Sequence, residues 1–302
     1  MGCLQLQARV PMISSAREVS PAVCATQQDY FALWRANNLE QLAPTVLAEQ
    51  GGRLADRAAW VFVGAYQGAM RQCFGQLRAY KGWASYLVSE ARDESRQPTC
   101  TLERTATGLL LQGTKSWVAA RSHLETVVVN ATQDAGATAN VLVPLATEGV
   151  ALLEKPSGRF LPELAVGSAQ FDAVRLPEDA LLAEADTHAA LFGMIEARCL
   201  LVALAGHFSA WAPGADAPRE ALMLASGLTT SELGQHGSIA ILLEAMTLLV
   251  TWFEQWVAAG SSVAGAPAGV NPVRERWQRD GRLLQMHRPL LEKRLQAASN
   301  AP

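Results

Sequence analysis

Cysteine chemistry has little to work with in this chain. Cys3, Cys24, Cys73, Cys100 and Cys199 are odd in number, scattered through 302 residues, and form no C-x-x-C pair. That spacing excludes a disulfide framework and a cysteine zinc site, and it fits a reducing cytoplasm. Charge of neither sign dominates: the net of −3 comes with scattered Lys and Arg, so there is no basic stripe for nucleic acid. The histidines His123, His188, His207, His236 and His287 are dispersed, with no H-E-x-x-H, and no G-x-S-x-G occurs. The nearest approach, "LASGL", lies in an apolar helical stretch, so metal and serine chemistry are both set aside. Long uncharged apolar runs are missing too. "SIAILLEAMTLLVTWF" is broken by Glu244 and falls short of the roughly 18 residues a bilayer span needs, so a soluble chain without a membrane span is expected. The start, "MGCLQLQARVPMISSAREVSP", has Leu6 where a myristoylation signal wants Ser or Thr and no apolar core for export. It reads as a frayed end.

Half of the residues are hydrophobic, enough to bury one large core or two modest ones. The most suggestive string is "GLLLQGTKS", one residue away from the phosphate-loop spacing G-x-x-x-x-G-K-[ST]. Its spacer, Leu109, Leu110, Leu111 and Gln112, is too apolar to wrap an anion, and no helix pattern follows the lysine. The alternative is a hairpin with a strand ending near Gln112, a tight turn at Gly113-Thr114 and a second strand through Trp117. A further strand follows over Thr126 to Ala131.

Hydrophobic periodicity divides the chain in three. From Asp29 to about Tyr80 the apolar residues recur at helical spacing. From Trp83 to Leu176 the period shortens to two, in eight short β-rich runs that point to a small barrel or sandwich. After Pro177 the helical period returns. The expected organisation is α+β: an N-terminal helical domain over 1–82, a central β-barrel-like domain over 83–177, and a C-terminal helical bundle over 178–302. "APGADAP" and "GSSVAGAPAGVNP" read as linkers.

That order, with the wording of three segments, resembles the acyl-CoA dehydrogenase family. "GLLLQGTKSWVAA" is similar to the family's glycine, apolar strand, Asn-Gly-x-Lys and Trp-Ile-Thr. "SAQFDAVRLPEDALL" is similar to its F-x-x-V-x-V-P exit from the β domain, and "RERWQRDGRLL" to its Glu-Arg-x-x-Arg-Asp-x-Arg segment. The resemblance implies FAD, an acyl thioester or related small substrate, α-proton abstraction by a carboxylate and hydride transfer to the flavin. It also implies that Trp117, Val118 and Ala119 line the flavin, that Ser89 binds it from the loop after the first strand, and that Ser95 serves the substrate. A tryptophan in a strand is otherwise most often a core residue. Arg279 and Asp280 are by default a solvated helix face, and within the family they imply helix packing and subunit contact.

The chain departs from the family pattern where the cofactor matters. "SEARDES" has Ala91 and Glu94 in place of the turn-shaping Pro and Gly, Ala119 stands for the threonine, and "HFSAWAPGADAPREAL" lacks the Arg-x-x-Phe-Gly segment that reaches a neighbour's flavin. These losses imply weak FAD binding. The usual catalytic Glu position falls near Val270 or Asn271, neither of which can take a proton, and the remaining candidate base is Glu196 in "GMIEARCLL". It lies one residue, about 100° of helix, from the position some family members use. The bland alternative is a surface Glu with Arg198 as a nearby charge. The resulting expectation is a flavoprotein oxidoreductase with no metal and no nucleic-acid partner. It is expected to be cytoplasmic and to form homo- or hetero-oligomers, "SIAILLEAMTLLVTWFEQW" being the candidate interface. A non-catalytic partner subunit of the same fold is the alternative, and an oxygen-using flavoprotein a third.

Overall fold

A computed structural model of the chain describes residues 23–90, 99–133, 136–184, 187–259 and 272–299. Helices come first: α1 (Gln27–Ala36), α2 (Pro44–Leu54) and α3 (Ala58–Cys73). Thr26 starts α1 through a capping box, accepting from the Asp29 N–H while the Asp29 carboxylate accepts from the Thr26 N–H. Eight strands follow: β1 (Trp83–Leu87), β2 (Cys100–Thr105), β3 (Gly108–Val118), β4 (Leu124–Thr132), β5 (Thr138–Pro144), β6 (Val150–Glu154), β7 (Gly167–Leu176) and β8 (Leu181–Leu182). The C-terminal bundle is α4 (Phe192–Trp211), α5 (Asp216–Ser226), α6 (His236–Ala258), α7 (Pro272–Asp280) and α8 (Arg288–Ser299). The mixed α+β order of helices, sheet and helices is the expected one.

The strands run β6-β7-β3-β2-β4-β5-β8 in one sheet, with β1 lying parallel to β4. A single bridge, Thr101 to Thr132, joins the two halves. Between them lies an apolar core that includes Leu87, Leu111, Val127, Val141, Phe171 and Val174. The predicted hairpin turn at Gly113-Thr114 is absent, because "GLLLQGTKSWV" is one continuous strand between β2 and β7. Gly113 marks an irregularity in that ladder. It has φ 122°, and a Cβ there would lie 1.9 Å from the Thr99 carbonyl oxygen, so a glycine signal that sequence alone assigns to a turn serves a close approach of two strands. The phosphate-loop lookalike is thus a strand, and its Lys115 is buried.

The helical core is centred on α4, which is apolar on nearly every face and packs against α2, α3 and α5. Gly52 of α2 brings the two backbones together: a Cβ there would sit 1.9 Å from the Ala203 carbonyl oxygen. By length and composition alone, α4 and α6 are each apolar enough to cross a bilayer, which corrects the reading that Glu244 rules this out. In the fold α4 is the middle helix of the bundle. The linker over 260–271 lies outside the described residues. The other one is shorter than its composition implied, since α5 already begins at Asp216.

Candidate functional site

Two features of the fold bear on the expected site residues. The first is a ledge at the ends of β1 and β3. The Ser116 N–H donates to the Ser89 carbonyl at 2.8 Å, which sets Ser89 beside Trp117. Trp117 is 39% exposed, Val88 is 49% exposed, and Ser89 is exposed. Trp117 is therefore not a core residue of the sheet. The next two residues behave otherwise. Val118 and Ala119 are wholly buried, and the Ala119 N–H already donates to Ser85 Oγ at 3.3 Å. Ser85 Oγ lies 3.3 Å from the Tyr66 hydroxyl, which accepts from the Tyr86 N–H at 2.9 Å. Of the residues expected to line a cofactor, Ser89 and Trp117 are open while Val118 and Ala119 are enclosed by their own chain. Ser95, and the Val270-Asn271 position, lie outside the described residues.

The second feature is Glu196. Tyr86 lies in β1, two residues before the exposed Val88. The Tyr86 ring meets Phe192, the first residue of α4, with centroids 5.0 Å apart. Phe74 packs on both rings and Tyr66 on Phe192. Glu196 lies one helical turn beyond Phe192, on the same face of α4. Its side chain is 17% exposed, and burial pushes its carboxyl up to about 7. A surface glutamate would show neither property, so the bland reading of Glu196 is corrected.

Arg198 is not its partner. The Arg198 guanidinium donates to Gln72 Oε1, to the Leu228 carbonyl and, at 2.9 Å, to Thr45 Oγ1, which ties α4 to α2 and α3. The polar group nearest Glu196 is instead His287, between a 3₁₀ turn (Gly281–Gln285) and α8, with Nε2 3.7 Å from Glu196 Oε2. That gap is longer than a hydrogen bond, and among the described residues His287 Nε2 has no partner although it is buried. Burial lowers His287 to about 4. Burial thus favours the neutral form of both groups.

The sequence reading missed His287 because nothing in its spacing signals a ligand or a catalytic pair. It follows Asp280 by seven residues, and the intervening 3₁₀ turn breaks the helical phase that would have placed it.

Other chemistry is poorly supported nearby. Burial raises the Cys199 thiol to about 11 and Cys73 further, so both are protonated, inert thiols. Among the described residues no three His, Cys, Asp or Glu side chains cluster to hold a metal ion.

No protein-family model matches the sequence, and no curated protein matches it. Solved structures do match its fold. Dibenzothiophene monooxygenase (TdsC) from Paenibacillus sp. A11-2 superposes with a TM-score of 0.65 at 15% identity, over 91% of this chain and 89% of that one. PigA, solved with FAD and proline, superposes with a TM-score of 0.63 at 10% identity, over 90% and 89% of the two chains. An acyl-CoA dehydrogenase from Bacillus anthracis, complexed with FAD, gives 0.56 at 14% identity, over 86% of this chain and 59% of that one. The fold is acyl-CoA dehydrogenase-like.

Proposed function

We propose that this acyl-CoA dehydrogenase-like fold is that of a FAD-dependent oxidoreductase, acting on an acyl thioester or a related carbonyl compound from which Glu196 removes a proton. The observation that carries the reading is the Glu196 carboxyl, enclosed, raised to about 7 and facing an unpartnered His287 nitrogen. A base poised near neutral pH suits abstraction of a weakly acidic C–H proton far better than an ordinary carboxylate does. Being neutral, His287 can accept a hydrogen bond from a substrate group or from the protonated Glu196 without adding a charge to the pocket.

The residues present fit a flavin in part. The exposed Val88 and Trp117 offer an apolar ledge for a planar ring, and Ser89 offers a hydroxyl beside it. Ala119 offers nothing, since its N–H is engaged by Ser85. Bound on the ledge, the flavin would supply the hydride acceptor. With contacts reduced to Ser89 and Trp117, FAD is expected to bind weakly and to be substoichiometric in a preparation without added cofactor. Trp117→Ala should weaken binding a further tenfold or so, about 1.4 kcal/mol of lost ring contact, in a titration following flavin fluorescence. Indifference of FAD affinity to Trp117 would remove the ledge from the reading. No binding at high FAD would favour a non-catalytic partner subunit.

Assembly through α6 belongs to the same proposal. Ile241, Leu248, Val250, Trp252 and Trp256 of that helix are only half-buried. An apolar face of this kind is ordinarily covered by a partner. Light scattering at micromolar concentration should report a multimer, and a monomeric mass would leave α6 without that role.

A further inference from the structure

The segment that leads to His287 is tied at three places to the loop between β6 and β7. Between β6 and β7 the chain crosses from Glu154 to Gly167, and part of that crossing is held by residues at the end of α7 and just after it. The Arg282 guanidinium lies 3.8 Å over the Phe160 ring. The Leu161 N–H donates to Asp280 Oδ1 at 3.0 Å. Glu163 accepts from Arg279 at 2.8 Å, and Arg279 Nε also donates to Asp280 Oδ2 at 2.9 Å.

Asp280 is wholly buried, and it joins the loop to the helix end directly. Leu161 is itself buried with φ 49°, a left-handed conformation that a leucine adopts at a cost. The turn aims its N–H at Asp280, so the hydrogen bond helps to hold the strained loop in place. A second anchor lies upstream, where Arg276 donates to Asp56 Oδ2 at 3.0 Å, tying α7 to the start of α3.

We propose that Asp280 is a positioning residue for the site: by clasping the β6–β7 loop it fixes where α7 ends, and thereby sets His287 opposite Glu196. The 3₁₀ turn over Gly281–Gln285 leads from this clasp towards His287, so Asp280 and His287 are joined by one short segment. The proposal rests on the reading of Glu196 and His287 as the reacting pair. It is tested without turnover or flavin, so that the two can fail separately.

The readout is the titration of the pair in protein labelled with ¹³C at the Glu carboxyls and ¹⁵N at the His rings, with Glu196→Gln and His287→Gln assigning the signals. The other titratable or charged groups around Glu196 are Tyr66 and Cys73 of α3 and Arg198 and Cys199 of α4, none of which Asp280→Ala touches. Asp280→Ala should move the Glu196 midpoint by a pH unit or more, a tenfold change in its acidity, and shift the His287 ring signals. Asp280→Asn, whose amide oxygen still accepts from the Leu161 N–H, should restore most of both. Should Asp280→Ala not fold, Arg282→Gln loosens the same clasp at Phe160 and should give a smaller shift in the same direction. A folded variant with a weakened clasp and an unmoved Glu196–His287 titration would overturn the proposal and leave Asp280 a packing residue.

Discussion

Replacing Glu196 by Gln should make the protein more stable at pH 8, by about 3 kcal/mol, while abolishing most of its turnover. The stability half follows from the raised carboxyl. In the unfolded chain this group ionises around 4.5, and in the fold only around 7. Below the first value it is protonated in both states and costs nothing. Between the two, the unfolded chain releases a proton that the folded chain keeps, so stability falls as pH rises. Above the second value the penalty is complete, at about 1.4 kcal/mol for each pH unit of the difference. Thermal unfolding at pH 8 should show the gain, as a rise in Tm on the order of 5 °C, and at pH 4 the gain should vanish. A variant no more stable than the parent at pH 8 would show that the carboxyl is well solvated. The activity half carries a loss of about a hundredfold to ten-thousandfold, the usual contribution of a positioned base, with FAD affinity unchanged. A chain that gave up catalysis would be under no pressure to keep a costly buried acid. Tension between stability and a single ionisable residue is therefore the signature that separates an enzyme from a non-catalytic partner subunit.

What was legible in the sequence was what periodicity carries. The switch from helical spacing to alternation near Trp83 and back after Pro177 is a property of consecutive residues, and it carries the order of helices, sheet and helices, although the short β8 falls after Pro177. Gly113 was misread as part of a turn. The reason for a glycine there, the Thr99 carbonyl opposite, belongs to another strand and leaves no mark nearby. The candidate site was legible only in its pieces. Trp117 and Glu196 could be named from the resemblance, but Glu196 looked like a surface residue because helix phase does not say which neighbours will close over it. His287 could not be found at all, since its role depends on a contact spanning 91 positions and on a 3₁₀ turn with no sequence signature. Val118 and Ala119 were named from the motif alone, and spacing could not tell that both are buried and that the Ala119 N–H is engaged by Ser85.

The lysine that made "GLLLQGTKS" resemble a phosphate loop gives the other large effect, and the order of two substitutions decides it. Lys115 is buried to 1% exposure and its ammonium is 2.6 Å from Glu90 Oε1, the one carboxylate it meets among the described residues. Its other contact among them is the Val88 carbonyl at 3.4 Å. Glu90 is better provided for. Its side chain is 25% exposed and its other oxygen accepts from the Thr99 N–H at 2.8 Å. Removing Glu90 therefore strands a buried cation, whereas removing Lys115 leaves a carboxylate that water and the Thr99 N–H can still satisfy. Glu90→Ala should cost about 3 to 5 kcal/mol, as breaking a buried pair does, while Lys115→Met, which keeps the apolar stem, should cost about 1 kcal/mol or less. Burial pushes the Glu90 carboxyl up, but the Lys115 ammonium and the Thr99 N–H outweigh it and hold the group below its ordinary 4.5. The pair's contribution is thus complete above the ordinary carboxylate range and is lost as pH falls through the lowered value, so the gap between parent and Glu90→Ala should close in acid. Denaturant unfolding of the two variants at pH 7 and in acid measures both points, and equal costs for the two would mean that water reaches Lys115. The effect extends to the site, because Glu90 follows Ser89 directly. With the clamp gone the end of β1 is free to move, and the ledge with it, so Glu90→Ala should also lower FAD affinity without any contact to the flavin, and Lys115→Met should lower it less.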